Sequence, residues 1–281
     1  MDNQKSKDPK YITSNQQKGG PGKSTVLINV AKYAAFEKNK RVLFIDGDQS
    51  CNATLMLYKA KNEVFQGNLL TDNTVQEILN DNGDNVKVHT INENIDLIAG
   101  YSELDKVQSA LDWSNDKFKY LKIYSWVMNN SEFLNQYDYV LIDTHNGFDL
   151  FQKNAVAVSD VVIVPDKRDS VTDLTKASMK FRIEDFKSEV KDNETGETLI
   201  NPRIYKIANN ININDIDDKK YLKDLEKEND FLTWIPSKKA FAKSVEINMS
   251  MYDILKKNGL SKYDVKFYKR YKKAMEAILE A

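Results

Sequence analysis

One short stretch, QQKGGPGKST at residues 16–25, constrains this chain more than any other part of its sequence. It follows the apolar run YITSNQ (11–16) and precedes a helical pattern over residues 24–38. A strand, a glycine-rich loop and a helix N-terminus form a P-loop, in which backbone N–H groups and the helix dipole hold phosphate oxygens. The common pattern G-x-x-x-x-G-K-[ST] requires glycine where Gln17 stands and has no counterpart of Lys18. The stretch therefore predicts phosphate binding by a loop of unusual form.

The residue types of this loop predict what each one does. Its glycines allow the backbone to approach a phosphate closely and to adopt positive φ. Lys23 is expected to bridge the β- and γ-phosphates of a nucleotide, and Ser24 to ligate Mg²⁺. The alternative is a glycine turn that only caps a helix. The predicted nucleotide-binding residues of the loop are Lys18, Gly19, Gly20, Pro21, Gly22, Lys23, Ser24 and Thr25.

Apolar runs alternate with helical patterns along the whole chain. Several runs are continuously aliphatic or β-branched, which is typical of parallel strands covered on both faces. The alternation predicts an α/β fold with a doubly wound, mostly parallel sheet flanked by helices. The predicted strands are 11–16, 42–46, 95–100, 139–144, 161–165, 203–210 and 231–236. The predicted helices are 24–38, 74–80, 102–111, 117–134, 169–187, 217–229 and 263–280.

Length and composition bound the class of protein. The 281 residues are predicted to form a single P-loop ATPase domain (1–281), with a flexible N-terminus at 1–10 and a basic helical region at 237–281; two smaller domains are the alternative. A net charge of −1 calls for no nucleic-acid or membrane partner by itself. The single cysteine, Cys51, excludes disulfides and cysteine clusters within one chain. The polar start and the lack of a long apolar run predict a cytoplasmic protein.

Two further segments place carboxylates after apolar runs. VLFIDGDQSCNAT (42–54) carries Asp46 and Asp48 at a strand end, and in an α/β sheet that edge faces the ligand crevice. YDYVLIDTHNGFD (137–149) closes four apolar residues with Asp143, which is typical of a Walker B strand whose carboxylate holds Mg²⁺ through water. For the first pair, two aspartates in a solvated turn are the alternative.

The residues K-G-G-P-G-K-S at 18–24 resemble the deviant Walker A motif of the ParA/MinD family of ATPases. In that family the extra lysine crosses a nucleotide-sandwich dimer, so the resemblance implies that Lys18 is a cation supplied in trans, in the manner of an arginine finger. It further implies that Asp48 positions or activates the attacking water and that Asp46 supports the metal shell. The implied catalytic residues are Lys18, Lys23 and Asp48, and the implied metal residues are Ser24, Asp46 and Asp143.

The chain departs from the family pattern in several places. Pro21 replaces the usual hydrophobic residue, and D-Q-S at 48–50 replaces D-P-Q. After the Walker B aspartate, a small residue followed by proline is replaced by Thr144, His145 and Asn146. Because this segment is a second switch in relatives, coupling or hydrolysis rate is expected to differ. For His145 we favour a structural hydrogen bond over a pH sensor or a contact with the active site.

Looser similarity continues to about residue 255. IANNIN (207–212) falls where a loop often approaches adenine, which implies Asn209 or Asn210 as contacts. TWIPSKKAFAKSVEINMSMYD (233–253) resembles the family segment whose backbone lies near the base, which implies Pro236. Residues 55–135 resemble no part of the family pattern.

The C-terminal region is basic, with 11 Lys/Arg against 5 Asp/Glu from residue 236 onward. In ParA proteins such residues bind DNA without sequence preference, which implies a DNA surface here. A docked helix with solvated lysines is an alternative, and a membrane-lying helix as in MinD is another, disfavoured because the apolar face contains alanine and tyrosine. The implied DNA-binding residues are Lys238, Lys239, Lys243, Lys266, Lys269, Arg270, Lys272 and Lys273.

The resemblance implies a ParA-like Mg²⁺-dependent ATPase for plasmid or chromosome partition, associated with the nucleoid. ATP would drive a homodimer that binds nonspecific DNA, and a ParB-like centromere-binding partner would stimulate slow hydrolysis. About ten residues precede the first strand, so no helix-turn-helix domain and no operator-specific repression are expected. The alternatives are a MinD-like membrane-associated positioning ATPase and a scaffold with a degenerate ATPase site. Iron–sulfur electron transfer is excluded because one cysteine cannot ligate a cluster.

Overall fold

The computed structural model describes residues 8–16, 19–20, 22–61, 70–168, 173–191, 195–257 and 259–281. Within these ranges, eight strands form one sheet in the order β3-β4-β2-β5-β1-β6-β7-β8. The strands are β1 (Lys10–Gln16), β2 (Val42–Gly47), β3 (Val88–Asn92), β4 (Ile95–Ile98), β5 (Tyr139–Asn146), β6 (Val161–Asp166), β7 (Arg203–Ile211) and β8 (Phe231–Pro236).

The doubly wound, mostly parallel arrangement predicted from the sequence is confirmed. All strand pairs are parallel except β3 with β4, which is antiparallel. The sequence prediction missed β3. This strand lies at the sheet edge and only Ile91 in it is fully buried, so it lacks the apolar run that marks the other strands.

The helices occupy most of the remaining described chain. Those predicted at 24–38 and 117–134 are each interrupted, the first by a π-helical turn at Tyr33–Glu37. No helix in the described ranges is both long enough and apolar enough to cross a bilayer. The helices are α1 (Lys23–Lys32), α2 (Asn52–Lys61), α3 (Gln76–Leu79), α4 (Leu104–Asp112), α5 (Lys122–Asn129), α6 (Ser131–Leu134), α7 (Leu150–Val158), α8 (Asp173–Glu189), α9 (Ile216–Leu225), α10 (Lys239–Lys243), α11 (Met251–Lys257) and α12 (Lys262–Glu280).

Among the described residues, the two largest of four hydrophobic clusters lie on opposite faces of the sheet. Alternate strand residues point to opposite faces, so Phe44 joins the cluster under α1 and α12, while Leu43 joins the one under α3, α5 and α7. Burial on both faces explains why the central strands are continuously apolar in sequence.

The C-terminal helix α12 is part of the first core. The hydroxyl of Tyr271 donates to the carbonyl of Asn29 on α1 at 3.3 Å. The apolar face predicted for α12 is therefore packed inside the fold rather than presented to a bilayer. Its buried residues are Phe267, Tyr271, Ala274, Met275, Ile278 and Leu279.

Candidate nucleotide-binding site

The three strongest motifs meet at one edge of the sheet. β5 lies between β2 and β1, and all three run parallel. In this register Asp46 is the partner of Asp143, and Gln16 at the start of the glycine loop is the partner of Asn146. The carboxyl ends of these strands thus form the crevice in which α/β proteins bind ligands.

The glycine loop leads directly into α1. Gly20 and Gly22 both have φ of +90°, a conformation that side chains disfavour. A Cβ on Gly22 would also lie 2.6 Å from Nδ2 of Asn209, so space and backbone both require glycine there. Gly22 is the N-cap of α1 and offers no side chain to the N–H groups of the first turn, where Ser24 and Thr25 lie. Those N–H groups suit an anion.

Three loop residues, Gln17, Lys18 and Pro21, lie outside the described residues. The roles predicted for Lys18 and Pro21 therefore stay predictions. Lys23 is described, and its side chain is almost fully buried. Its ammonium donates to Oδ1 of Asn146 at 2.5 Å. Burial lowers the pKa of Lys23, while Asp143 and Asp48 act against that shift.

Asp143 is fully buried at the end of the Walker B strand. Neither of its carboxylate oxygens accepts a hydrogen bond of ordinary geometry within the described chain. Burial first, and then the neighbouring carboxylate of Asp46, raise the pKa of Asp143; Ser24 and Lys23 lie near enough to lower it. A buried carboxylate beside the Ser24 hydroxyl fits a Mg²⁺ site, since Mg²⁺ takes oxygen ligands and keeps several waters.

Asp46 is equally buried but its oxygens are occupied. The N–H and hydroxyl of Thr54 donate to Oδ2 at 2.8 and 2.6 Å, and the N–H of Asp48 donates to Oδ1 at 3.1 Å. Burial nevertheless raises the pKa of Asp46 to about 6. These contacts hold the loop between β2 and α2 in place, a structural role that the sequence interpretation missed.

Asp48 lies on this loop and is partly exposed. Its Oδ1 accepts from the N–H of Ser50 at 2.9 Å, and its carbonyl accepts from the N–H of Cys51 at 2.8 Å. The D-Q-S sequence therefore forms a tight turn that ends at Cys51, whose φ is +51°. Burial raises the pKa of the Cys51 thiol to about 12, so it stays protonated.

The segment after Asp143 is held by several side chains. The hydroxyl of Thr144 donates to the carbonyl of Ser14 at 2.8 Å. The His145 ring lies between Gln152, at 2.9 Å from Nδ1, and Asp149, at 2.6 Å from Nε2. His145 thus makes the structural contacts that we favoured. The hydrogen bond that Lys23 donates to Asn146 was not predicted, because no local pattern indicates it.

The two asparagines predicted near the base lie at the end of β7. Asn209 is buried against Gly22, which brings it to the P-loop. Asn210 is exposed, has φ of +63° and accepts from the Ser237 hydroxyl at 2.8 Å, next to Pro236 at the end of β8. The three predicted positions are thus near one another, and contact with adenine stays a prediction.

The predicted DNA-binding residues divide into two groups. Lys238 pairs with Asp264 at 2.7 Å, and Arg270 stacks over the ring of Trp234 at 4.3 Å and donates to Thr233 at 2.6 Å. Lys272 is half-buried near the Tyr268 ring. The exposed members are Lys239, Lys243, Lys266, Lys269 and Lys273.

Comparison with known proteins identifies the family. The family described as "AAA domain" matches residues 9–193, which include all three motifs of the crevice. The chain belongs to this family. Soj, the sporulation initiation inhibitor protein of Bacillus subtilis (strain 168), is 32% identical over 158 residues, or 56% of this chain and 57% of Soj. The ParA-type P-loop ATPase family predicted from the motifs is confirmed.

Solved structures share the fold of this AAA-domain chain along nearly its full length. A plasmid partition protein from Borrelia burgdorferi B31, bound to AMPPNP, has a TM-score of 0.72 and 24% identity, covering 98% of this chain and 99% of that one. A variant of McdA from Cyanothece, in complex with ATP, has a TM-score of 0.73 and 16% identity, covering 96% of each. The matched part spans just over half the length of Soj, 57%.

Proposed function

We propose that this chain is a partition ATPase that binds ATP and Mg²⁺, closes into a homodimer around the nucleotide, and binds nonspecific DNA in that state. The observation that carries the proposal is the buried Asp143, whose oxygens lack ordinary hydrogen bonds beside Lys23 and Ser24. This carboxylate is well placed to hold a hydrated Mg²⁺ against phosphate.

Each described residue of the site has a task in this proposal. The first-turn N–H groups of α1 and the ammonium of Lys23 bind phosphate oxygens, while Ser24 and Asp143 hold the metal directly or through water. Mg²⁺ supplies neutralisation of phosphate charge when bound. Asp46 fixes the loop that presents Asp48, and Asp48 orients the attacking water. Lys18 of the opposite subunit completes the site.

DNA binding is assigned to the exposed lysines at and after α10. A dimer doubles their number, so DNA affinity depends on the nucleotide through subunit association. A ParB-like partner would stimulate hydrolysis and release the subunits from the nucleoid. A membrane-associated positioning ATPase is the alternative that the sequence leaves open. The buried apolar face of α12 argues against membrane attachment through that helix.

The deciding experiment is a gel shift on a nonspecific duplex with ATP, ADP or no nucleotide at several salt concentrations. Binding is expected only when ATP is present. The logarithm of the association constant should fall by about 0.9 per neutralised phosphate for each tenfold increase in salt concentration. Lys23→Ala should lose both ATP binding and the shift. Lys40→Ala serves as the matched control, because Lys40 pairs with Asp138 on the surface. Equal DNA affinity with ATP, with ADP and without nucleotide would contradict the proposed switch.

A further inference from the structure

Asn146 makes contact with the glycine loop through both ends of its amide. Its Oδ1 accepts from the ammonium of Lys23 at 2.5 Å. Its Nδ2 lies 3.3 Å from where a Cβ on Gly19 would stand, which places it next to that glycine. In the sheet register its residue partner is Gln16, so this closeness follows from the fold. Asn146 thus lies beside Gly19 and the ammonium of Lys23.

The contact with Lys23 competes with phosphate. The ammonium is almost fully buried, so an acceptor that it loses must be replaced. When a phosphate oxygen accepts the hydrogen bond from the Lys23 ammonium, Asn146 loses its charged donor. Its amide then has a free carbonyl and an NH₂ group beside the incoming phosphate.

A chain of contacts leads from Asn146 to the loop of Asp48. The preceding residue, His145, is held by Asp149 and Gln152 at the start of α7. On the same turn of α7, the ring of Phe151 lies so close to Gly47 that a Cβ there would be 1.8 Å from its Cε1. Gly47 stands between Asp46 and Asp48. These contacts form a continuous route from the residue beside Asn146 to the loop that carries Asp48.

We propose that Asn146 senses the triphosphate. It accepts a hydrogen bond from Lys23 when phosphate is absent, and it donates from Nδ2 to the γ-phosphate once the Lys23 ammonium binds phosphate instead. The first contact opposes binding of any nucleotide, while the second favours ATP alone. The shift of Asn146 then acts through α7 to order the Asp48 loop. This inference rests on the proposed function, because it requires that the site bind ATP.

Nucleotide titrations of wild type and Asn146→Ala test the inference. A hydrogen bond to a charged group contributes a factor of about ten or more to affinity. The variant should bind ADP about tenfold more tightly, because Lys23 is no longer held, while ATP affinity changes little. The preference for ATP over ADP should thus fall about tenfold. Asn146→Asp, which adds negative charge, should weaken the binding of ATP more than the binding of ADP.

Hydrogen exchange supplies a readout independent of turnover. In wild type, AMPPNP should slow exchange at 47–52 and 147–152 more than ADP does, and Asn146→Ala should remove that difference. Asn146→Ser replaces Asn146→Ala if the latter does not fold. If wild type binds ATP but the variant keeps the same ATP preference and exchange difference, the sensor role proposed for Asn146 is wrong and the proposed function stands. If wild type binds no nucleotide, both are wrong.

Discussion

At the scale of single residues, Gly47 is required by space rather than by backbone conformation. It lies between two carboxylates, and a methyl group there would overlap the ring of Phe151, which is fully buried. Gly47→Ala should therefore destabilise the fold by about 1–3 kcal/mol through overpacking. Urea unfolding of Gly47→Ala, Phe151→Leu and the double variant measures this cost.

The double variant is the control. The smaller leucine makes room for the methyl group, so the two losses should be less than additive. Strictly additive losses would show that the ring and Gly47 are not coupled, and the contact path through α7 would lose its last step.

Lys32 is a second residue whose surroundings predict a measurable effect. Its ammonium donates to the carbonyls of Ser244 and Ile247, each at 2.5 Å, and burial lowers its pKa to about 7 from 10.5. Between these values the unfolded chain binds a proton that the folded chain lacks, so stability rises with pH. From pH 7 to 9 the free energy of unfolding should increase by about 2 kcal/mol more in wild type than in Lys32→Met.

Urea titrations of both proteins at the two pH values provide the measurement for Lys32. The comparison with the variant removes the contribution of other titrating groups. Equal pH dependence in the two proteins would mean that Lys32 keeps its proton in the fold.

At the scale of elements, α12 joins the basic end to the core and begins with a well-formed cap. The Ser261 hydroxyl accepts from the N–H of Asp264 at 3.1 Å, and the Asp264 carboxylate accepts from the N–H of Ser261 at 2.9 Å. Ser261→Ala should cost about 1 kcal/mol in unfolding free energy, whereas Ser261→Thr should keep the cap. Thermal unfolding measures both, and equal losses would exclude the cap as the cause.

At the scale of the whole molecule, the proposed cycle separates dimer formation from hydrolysis. Asp48→Ala should form the ATP-dependent dimer but hydrolyse ATP at least about 100-fold more slowly, since it removes only the group that orients water. Lys18→Ala should bind ATP and stay monomeric. Light scattering with ATP and a phosphate-release assay measure the two properties. An Asp48→Ala protein that stays monomeric with ATP would show that Asp48 also contributes to the dimer.

The sequence by itself determined the fold class and the identity of the phosphate loop, because both depend on local patterns. Continuous apolar runs indicated strands buried on two faces. The glycines before Lys23 indicated a backbone that adopts positive φ and approaches a ligand closely. Only the tertiary structure decided what those motifs contact. Asn146 meets Lys23 from 123 positions away, and Phe151 meets Gly47 from the helix that follows the neighbouring strand. Such contacts arise when parallel strands bring their ends to one edge, and no local pattern in the chain encodes the register that sets them.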